Sequence, residues 1–299
     1  MKFLAGYAMR GPMQAVLVAA VCALLSLVVP PLSYLGGGTV ALVTLRLGSW
    51  QGAKVMLGAA LAVTALSLLV LRSAVPGPAF LVALWLPVWV LALELRRSVS
   101  LRHAMVVAGG FGALFVIVLY GALDNPAAFW HEVFEKVFSE AGGQAGDAMA
   151  EAYGVMTGAL AAGFTLSLLG SLFIARWWQA LLYNPGGFQS EFHALRFGPL
   201  LGLGTLAVAS LAFLGDERLA AFASDLVIVL IVLLLLHGIA VVHGLVRLKG
   251  VHGAWLGLMY VLLLFMLPQT AITLSAVGLA DAWFDFRAFF GAKREEGGK

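Results

Sequence analysis

Long apolar runs recur along almost the whole chain, and they constrain its fold more than any other feature. Hydrophobic residues make up 62% of the sequence and charged residues 11%. A helix needs roughly 20 apolar residues to cross a bilayer, and a soluble domain of 299 residues could not bury so many apolar side chains. The sequence therefore predicts an all-α fold, a polytopic transmembrane bundle of eight to nine spans that forms one integral membrane domain over residues 1–290.

Nine segments are candidates for these spans. The second opens with Gly36, Gly37 and Gly38, which predicts a partly unwound or re-entrant segment. In the ninth, Pro268 removes a helical hydrogen bond, so we expect a kink beside Gln269. The candidate spans are residues 13–29, 34–47, 51–71, 79–95, 104–123, 155–175, 197–214, 220–246 and 254–277.

The basic residues predict a cytoplasmic N-terminus. With that end inside, the inner segments carry eleven Lys and Arg residues, and the outer loops before the tail carry three. An excess of this kind is typical of cytoplasmic loops. Nine full spans place the C-terminal tail outside, so either the tail is external or one candidate does not fully cross. We expect residues 291–299 to form a disordered polar tail.

Two polar segments between spans have recognisable patterns. Residues 124–152 place aromatic and acidic side chains at helical spacing, which predicts an amphipathic helix on the outer surface. This helix is either a lid over an outward cavity or an interfacial anchor. Residues 176–196 contain the turn signal Asn-Pro-Gly-Gly, which predicts a cytoplasmic helix–turn–helix elbow. The elbow is either a stiff loop or a docking surface, for which Asn184 and Arg196 are the candidate contact residues.

Few ionisable residues lie inside the apolar runs, and each is a candidate for function because charge is costly in a bilayer. Asp225 is suited to binding a cation or a basic ligand group, or to the positive N-terminus of its helix. His237 is suited to relaying protons, or to a hydrogen bond with a neighbouring helix. In the nine-span topology Asp281 and Asp285 follow on the outer side. We therefore expect an outward polar cavity with these ligand-binding candidates: Gly36, Gly37, Gly38, Asp225, His237 and Gln269.

Several classes of site lack their motifs. His237 and His243 are too far apart around a helix to share a metal, and Cys22 is the single cysteine, so a thiolate metal site and an internal disulfide are not expected. The sequence contains neither a phosphate-binding loop of the Walker type nor a nucleophile elbow. We therefore predict no enzymatic activity, no cofactor, no metal and no nucleic-acid partner.

Three alanines follow one another at intervals of four in the first span. Such small residues let another helix pack closely. They are candidates for partner docking: Ala15, Ala19 and Ala23.

Four stretches resemble the YybS-like family of predicted bacterial inner-membrane proteins: PPLSYLGGGT at 30–39, TLRLG at 44–48, the elbow from 184 to 196 and DAWFDFR at 281–287. The resemblance covers nearly the whole chain and implies a multi-pass protein of the bacterial inner membrane. Members of this family look distantly like the S components of energy-coupling-factor transporters. S components have six helices, an outward pocket and an alanine strip that docks onto a coupling subunit. The resemblance therefore implies an S-component-like core plus additional helices.

Two functions compete on this basis. The first is a solute-binding transporter subunit that takes an unknown small solute and is energised by a coupling subunit with a separate ATPase. The second is a membrane scaffold that recruits partners through residues 176–196.

Overall fold

The computed structural model describes residues 1–140 and 148–297, and nearly all of these residues are helical. The described ranges contain no strand, so the prediction of an all-helical fold is confirmed. A 3₁₀ turn covers Pro30–Leu32, and a π-helical turn covers Leu81–Trp85. The α-helices are α1 (Lys2–Ala8), α2 (Pro12–Ser26), α3 (Ser33–Leu47), α4 (Ser49–Leu71), α5 (Pro76–Phe80), α6 (Leu86–Ser98), α7 (Leu101–Ala122), α8 (Pro126–Glu140), α9 (Ala148–Tyr183), α10 (Gly187–His193), α11 (Pro199–Leu214), α12 (Glu217–Lys249), α13 (Ala254–Phe265), α14 (Leu267–Phe284) and α15 (Phe286–Gly297).

Five helical segments among the described residues are long and apolar enough to cross a membrane. They are Ser49–Leu71, Pro76–Ser98, Leu101–Ala122, Ala152–Tyr183 and Glu217–Lys249. Helices also occupy the remaining predicted spans, but α2, α11 and α13 are shorter apolar helices of 10–17 residues. The structure is therefore compatible with a multi-pass membrane protein, while helix length alone does not confirm eight to nine spans.

The chain folds into two compact units. Unit 1 consists of Met1–Ala108 and Leu166–Phe192, and unit 2 of Gly109–Thr165 and His193–Lys299. In unit 1, α2 packs against α3 and α4, and α3 packs against α6. In unit 2, α12 is the central helix and packs against α11 and α14.

The second predicted span is a regular helix, which corrects the expectation of an unwound segment. The glycines from Gly36 to Gly38 lie inside α3 and are buried. The chain leaves this helix at Gly48, whose φ of +104° is a conformation that favours glycine. Close helix packing, rather than an irregular backbone, therefore accounts for the glycine run.

Local sequence signals explain how α12 begins and ends. Asp216 caps its N-terminus, where the carboxylate accepts a hydrogen bond from the Leu219 N–H at 2.9 Å. Arg247 and Lys249 lie in the last turn, where cations favour the negative end of the helix dipole. Gly250 then ends the helix in the left-handed conformation.

The ninth predicted span is two helices rather than one kinked helix. The chain breaks at Met266 (φ −130°, ψ 47°), and Pro268 lies in the first turn of α14, where its missing N–H costs nothing. Two contacts give the direction of α14: the Ser275 hydroxyl donates to the Ile231 carbonyl, and His237 pairs with Asp281. Both pairs are 44 residues apart, so α14 runs parallel to α12, and α13 is the return segment between them.

The predicted C-terminal tail is partly helical. The last helix runs to Gly297 and so includes most of the segment 291–299, for which the sequence predicted disorder. Residues 298–299, and residues 141–147 of the predicted outer amphipathic segment, lie outside the described residues.

Candidate functional site

Asp225 is a buried carboxylate on α12 with two uncharged hydrogen-bond donors. Its side chain is 1% exposed. The Tyr120 hydroxyl donates to Oδ2 at 2.8 Å, and the Gly158 N–H donates to Oδ1 at 2.9 Å. Gly158 must lack a side chain, since a Cβ there would lie 2.6 Å from Oδ1. The parts of α7, α9 and α12 that belong to unit 2 therefore build one site around this carboxylate.

An open cavity of about 670 Å³ lies beside Asp225, and Tyr120 connects the two because it lines the cavity and bonds the carboxylate. The lining contains three carboxylates and one guanidinium, so negative charge predominates. Arg218 Nη2 also donates to the Tyr120 carbonyl at 3.1 Å, which joins the start of α12 to the end of α7. The polar lining residues are Tyr120, Asp124, Asn125, Asp216, Glu217 and Arg218.

A second polar centre, which we call the hub, surrounds Asp281 in unit 2. His237 Nε2 lies 3.0 Å from Asp281 Oδ2, and both side chains are fully buried. Arg287 Nη2 donates to the same oxygen at 2.9 Å, and the Phe286 N–H donates to Oδ1 at 2.8 Å. The carboxylate is thus completely hydrogen-bonded, whereas the other imidazole nitrogen, His237 Nδ1, is buried without a partner.

Two arginines connect the hub to the segment before α11. Arg196 forms an ion pair with Asp285 at 3.0 Å, and its Nε donates to the Asp281 carbonyl at 3.2 Å. Arg287 Nη1 donates to the His193 carbonyl at 2.8 Å. Residues 193–196 and 281–287 therefore lie together, which corrects the nine-span topology, where they were placed on opposite sides of the membrane.

His193 lies near several positively charged side chains at this end of unit 2. Burial of its ring, together with the positive charges of His243, Arg247 and Arg287, holds the pKa of His193 below its ordinary value. The ring centroids of His193 and His243 are 5.5 Å apart. Protonation of His193 is therefore less favourable than protonation of an exposed histidine.

The predicted ligand-binding residues do not form one site. Asp225 and His237 are twelve residues apart on α12, which is about 18 Å along a helix, and they belong to the two separate polar centres. Gln269 is exposed, and the described lining of the cavity does not include it.

The glycines Gly36, Gly37 and Gly38 belong to unit 1, where they allow helices to approach closely. A Cβ at Gly36 would lie 3.2 Å from the Ala19 carbonyl, and one at Gly37 would lie 2.5 Å from the Ser171 hydroxyl. At Gly38 a Cβ would meet Ile174 at 2.9 Å. The structure thus gives these glycines a packing role.

The alanine strip has a similar role. Ala15, Ala19 and Ala23 are all buried, and their helix α2 packs against α3 and α4. The strip therefore has its partner within unit 1 and offers no free face for a docking subunit.

The elbow is a folded turn, as the sequence predicted. Arg176 forms an ion pair with Glu191 at 2.5 Å, and Asn184 is exposed at the turn. Phe188 and Phe192 contact the ring of Phe173, with centroid distances of 5.7 and 5.9 Å. The aromatic face of α10 thus packs onto the part of α9 that belongs to unit 1.

Sequence reasoning missed Tyr120, Asp281 and Arg287 as partners of the predicted residues. Tyr120 lies in the last turn of α7, close in sequence to the polar segment 124–152. This position was the one sequence signal that pointed to a role for Tyr120 in a polar site. The sequence does not indicate the partners of His237, because it predicts one span where the structure has the two helices α13 and α14.

The described residues contain no group of three or more His, Cys, Asp or Glu side chains that could hold a metal ion. No family model, curated protein or solved structure matches the chain.

Proposed function

We propose that the protein is a multi-pass membrane protein that binds a small solute in the cavity of unit 2. The cavity volume of about 670 Å³ is the observation that carries this proposal, since small-molecule sites usually measure about 300–1,000 Å³. A buried carboxylate lies next to it, and intramembrane carboxylates commonly mark solute or ion pathways. This combination favours solute binding over a purely structural role.

The charge of the lining favours a cationic solute. Asp124, Asp216 and Glu217 face one positive group, Arg218, in the cavity. An anionic solute would be repelled by the three carboxylates, while a protonated amine or guanidine would be attracted. Asn125 and Tyr120 add neutral hydrogen-bonding groups that fix the orientation of a bound molecule.

The two ends of unit 2 support an outward position for the cavity. Because α12 begins at the acidic cavity and ends at Arg247 and Lys249, its charges are distributed unequally between its ends. Arg287 packs against Gly244 at the basic end, where a Cβ on Gly244 would lie 2.8 Å from Arg287 Cδ. Basic residues favour the cytoplasmic side, so in this proposal the basic end is cytoplasmic and the cavity is external.

The direction of α14 supports a cytoplasmic C-terminus. Since α14 is parallel to α12, the tail leaves the membrane on the same side as Lys249. Residues 254–277 contain two helical segments instead of one, so the chain has ten segments in place of nine. An even number of crossings puts the tail on the same side as the N-terminus, which is the cytoplasmic side. The four tail cations, Arg287, Lys293, Arg294 and Lys299, join the eleven inner ones, so the excess is fifteen against three.

A separate ATPase and coupling subunit would supply the energy in this proposal, as the resemblance to the YybS-like family and to S components of the bacterial inner membrane implies. Burial of the alanine strip means that such a subunit would have to dock elsewhere. The elbow is one exposed surface for this purpose, because Trp177, Tyr183 and Asn184 are exposed there.

The same elbow supports the second candidate function, a membrane scaffold. Its ion pair between Arg176 and Glu191 and its aromatic contacts hold the turn in one conformation, as a docking surface requires. A scaffold would use this surface without using the cavity, so the two functions predict different effects of cavity mutations.

Mass spectrometry of the protein purified from cells tests the proposal. We expect a small cationic molecule to copurify with the wild type and to be lost from the double variant Asp124→Asn, Glu217→Gln. The variant Glu132→Gln, which removes an exposed carboxylate of α8, is the matched control and should retain it. Retention of the same molecule by the double variant, or its absence from the wild type, would support the scaffold instead.

A further inference from the structure

Asp225 differs from the other buried carboxylate, Asp281, in having only neutral partners. Asp281 contacts the guanidinium of Arg287, whereas none of the ion pairs among the described residues includes Asp225. Removing a carboxylate from water is costly unless a cation compensates it. The site therefore accommodates either a protonated Asp225 or an ionised one with a positive charge nearby.

The geometry of the site satisfies both protonation states. When Asp225 is ionised, its two oxygens accept the hydrogen bonds from Tyr120 and Gly158. When Oδ2 carries a proton, it donates to the Tyr120 oxygen, because a phenolic hydroxyl both donates and accepts. The hydrogen of Tyr120 then turns away from Asp225, and Oδ1 still accepts from Gly158.

We propose that Asp225 is a proton-binding site that exchanges protons with the cavity through the hydroxyl of Tyr120, so that proton and solute binding are coupled. In the relay, a hydronium ion in the cavity transfers one proton to the Tyr120 oxygen and leaves as water. The original hydroxyl proton of Tyr120 passes to Asp225 Oδ2. One O–H bond forms on Tyr120 and one on Asp225. One O–H bond breaks in the hydronium ion and one in Tyr120, which therefore ends neutral.

The surroundings of Tyr120 hold it in position for this relay. The ring of Phe222 packs edge-on against it, with centroids 5.2 Å apart at 74°. The charged or titratable groups near this end of the unit include Asp124, Asp216, Glu217 and Arg218 in the cavity, His131 on α8 and Tyr153 on α9. A cation in the cavity favours the ionised form of Asp225, so a cationic solute releases the proton when it binds.

The coupling rests on the proposed solute cavity, but the proton site can be tested without any solute. A protonated carboxyl has a carbonyl stretching band in the infrared that a carboxylate lacks. We expect purified wild-type protein to show such a band at low pH and to lose it as the pH rises. Other carboxyl groups also contribute to this band at low pH, so the contribution of Asp225 is read from difference spectra. The variant Asp225→Asn should lack the component of a buried carboxyl, while the exposed-carboxylate control Glu132→Gln should keep it.

Asn at position 225 imitates the protonated state, because its oxygen accepts from Gly158 and its amide donates to Tyr120, so we expect this variant to fold. If it does not fold, protein carrying ¹³C-labelled aspartate provides a second measurement. The label shifts the aspartate part of the wild-type band, and Asp225→Glu should lose the buried component from that shifted part. A band that is identical in wild type and Asp225→Asn at every pH overturns the proton site.

The relay has its own test. Removing the hydroxyl with Tyr120→Phe should slow the appearance of the band after a pH jump by about a hundredfold, which is typical for loss of a positioned proton donor. An unchanged rate overturns the role of Tyr120. Absence of the Asp225 band at low pH, in protein that binds the solute but has been freed of it, refutes the proton site alone. A normal band in protein that binds no solute refutes the solute-binding proposal alone.

Discussion

Gly238 marks the closest approach of α12 and α14, and its replacement by alanine should destabilise unit 2 strongly. A Cβ at this position would lie 1.9 Å from the Leu274 carbonyl oxygen and 2.7 Å from its carbon. These are backbone atoms, which cannot rotate away as a side chain does. Reaching an ordinary separation of about 3.5 Å requires the two helices to move apart by well over an ångström.

The expected loss of stability follows from three contributions. Overpacking costs about 1–3 kcal/mol. The movement also breaks the contact of 3.0 Å between the adjacent His237 and Asp281, and a hydrogen bond to a charged group contributes about 1.5–3 kcal/mol. The higher helix propensity of alanine offsets about 1 kcal/mol of this loss, so we expect a net destabilisation of about 1.5–5 kcal/mol.

Unfolding in detergent, followed by intrinsic tryptophan fluorescence, measures this change. Gly257→Ala on α13 is the matched control, because a Cβ there meets nothing within 4 Å. It should be neutral or stabilise by up to about 1 kcal/mol. Equal stability of the Gly238→Ala and Gly257→Ala variants would show that the two helices are not in the described contact, and the assignment of α14 as parallel to α12 would fail with it.

Two further predictions concern pH and topology. Because the pKa of His193 is lowered by burial and by neighbouring cations such as Arg287, the folded state binds the proton less well than the unfolded state, so stability should fall as the pH drops from the ordinary histidine pKa to the lowered one. The melting temperature of His193→Gln should depend less on pH in that window, and equal slopes would contradict this. In a Cys22→Ser background, Ser190→Cys and Ala288→Cys should react only with reagents that reach the cytoplasm, while Ser139→Cys should react from outside, and external labelling at position 288 would refute the parallel arrangement.

Composition and periodicity were sufficient to predict the helical class and the positions of most helices, because these depend on local apolar patterns. The elbow was predictable for the same reason, since the turn around Asn184 and the spacing of Phe188 and Phe192 are local features. The cavity was only partly predictable: Asp225 was a candidate on account of its charge, but the partner hydroxyl of Tyr120 is 105 residues away in sequence.

The hub could not be predicted because it depends on the direction of a helix. Pro268 indicated a break in the regular helix of the last predicted span. A kinked helix and a reversal of chain direction at Met266 have the same sequence signal, however. The choice between them decides whether Arg196 and Asp285 meet, and only the packing of α14 against α12 settles it. The glycines of α3 illustrate the same limit, since a run of glycine suits both an unwound segment and a tight helix crossing.

The separation of 44 residues between His237 and Asp281 also sets the order in which this region is completed during synthesis. At elongation rates of about 5–20 residues per second, the histidine emerges roughly 2–9 seconds before the aspartate. During that interval its imidazole is without the carboxylate that it contacts in the finished protein, and Arg196 is equally without Asp285. A ribosome that stalls before codon 281 leaves His237 without this partner inside an apolar helix, where an unpaired polar group is costly.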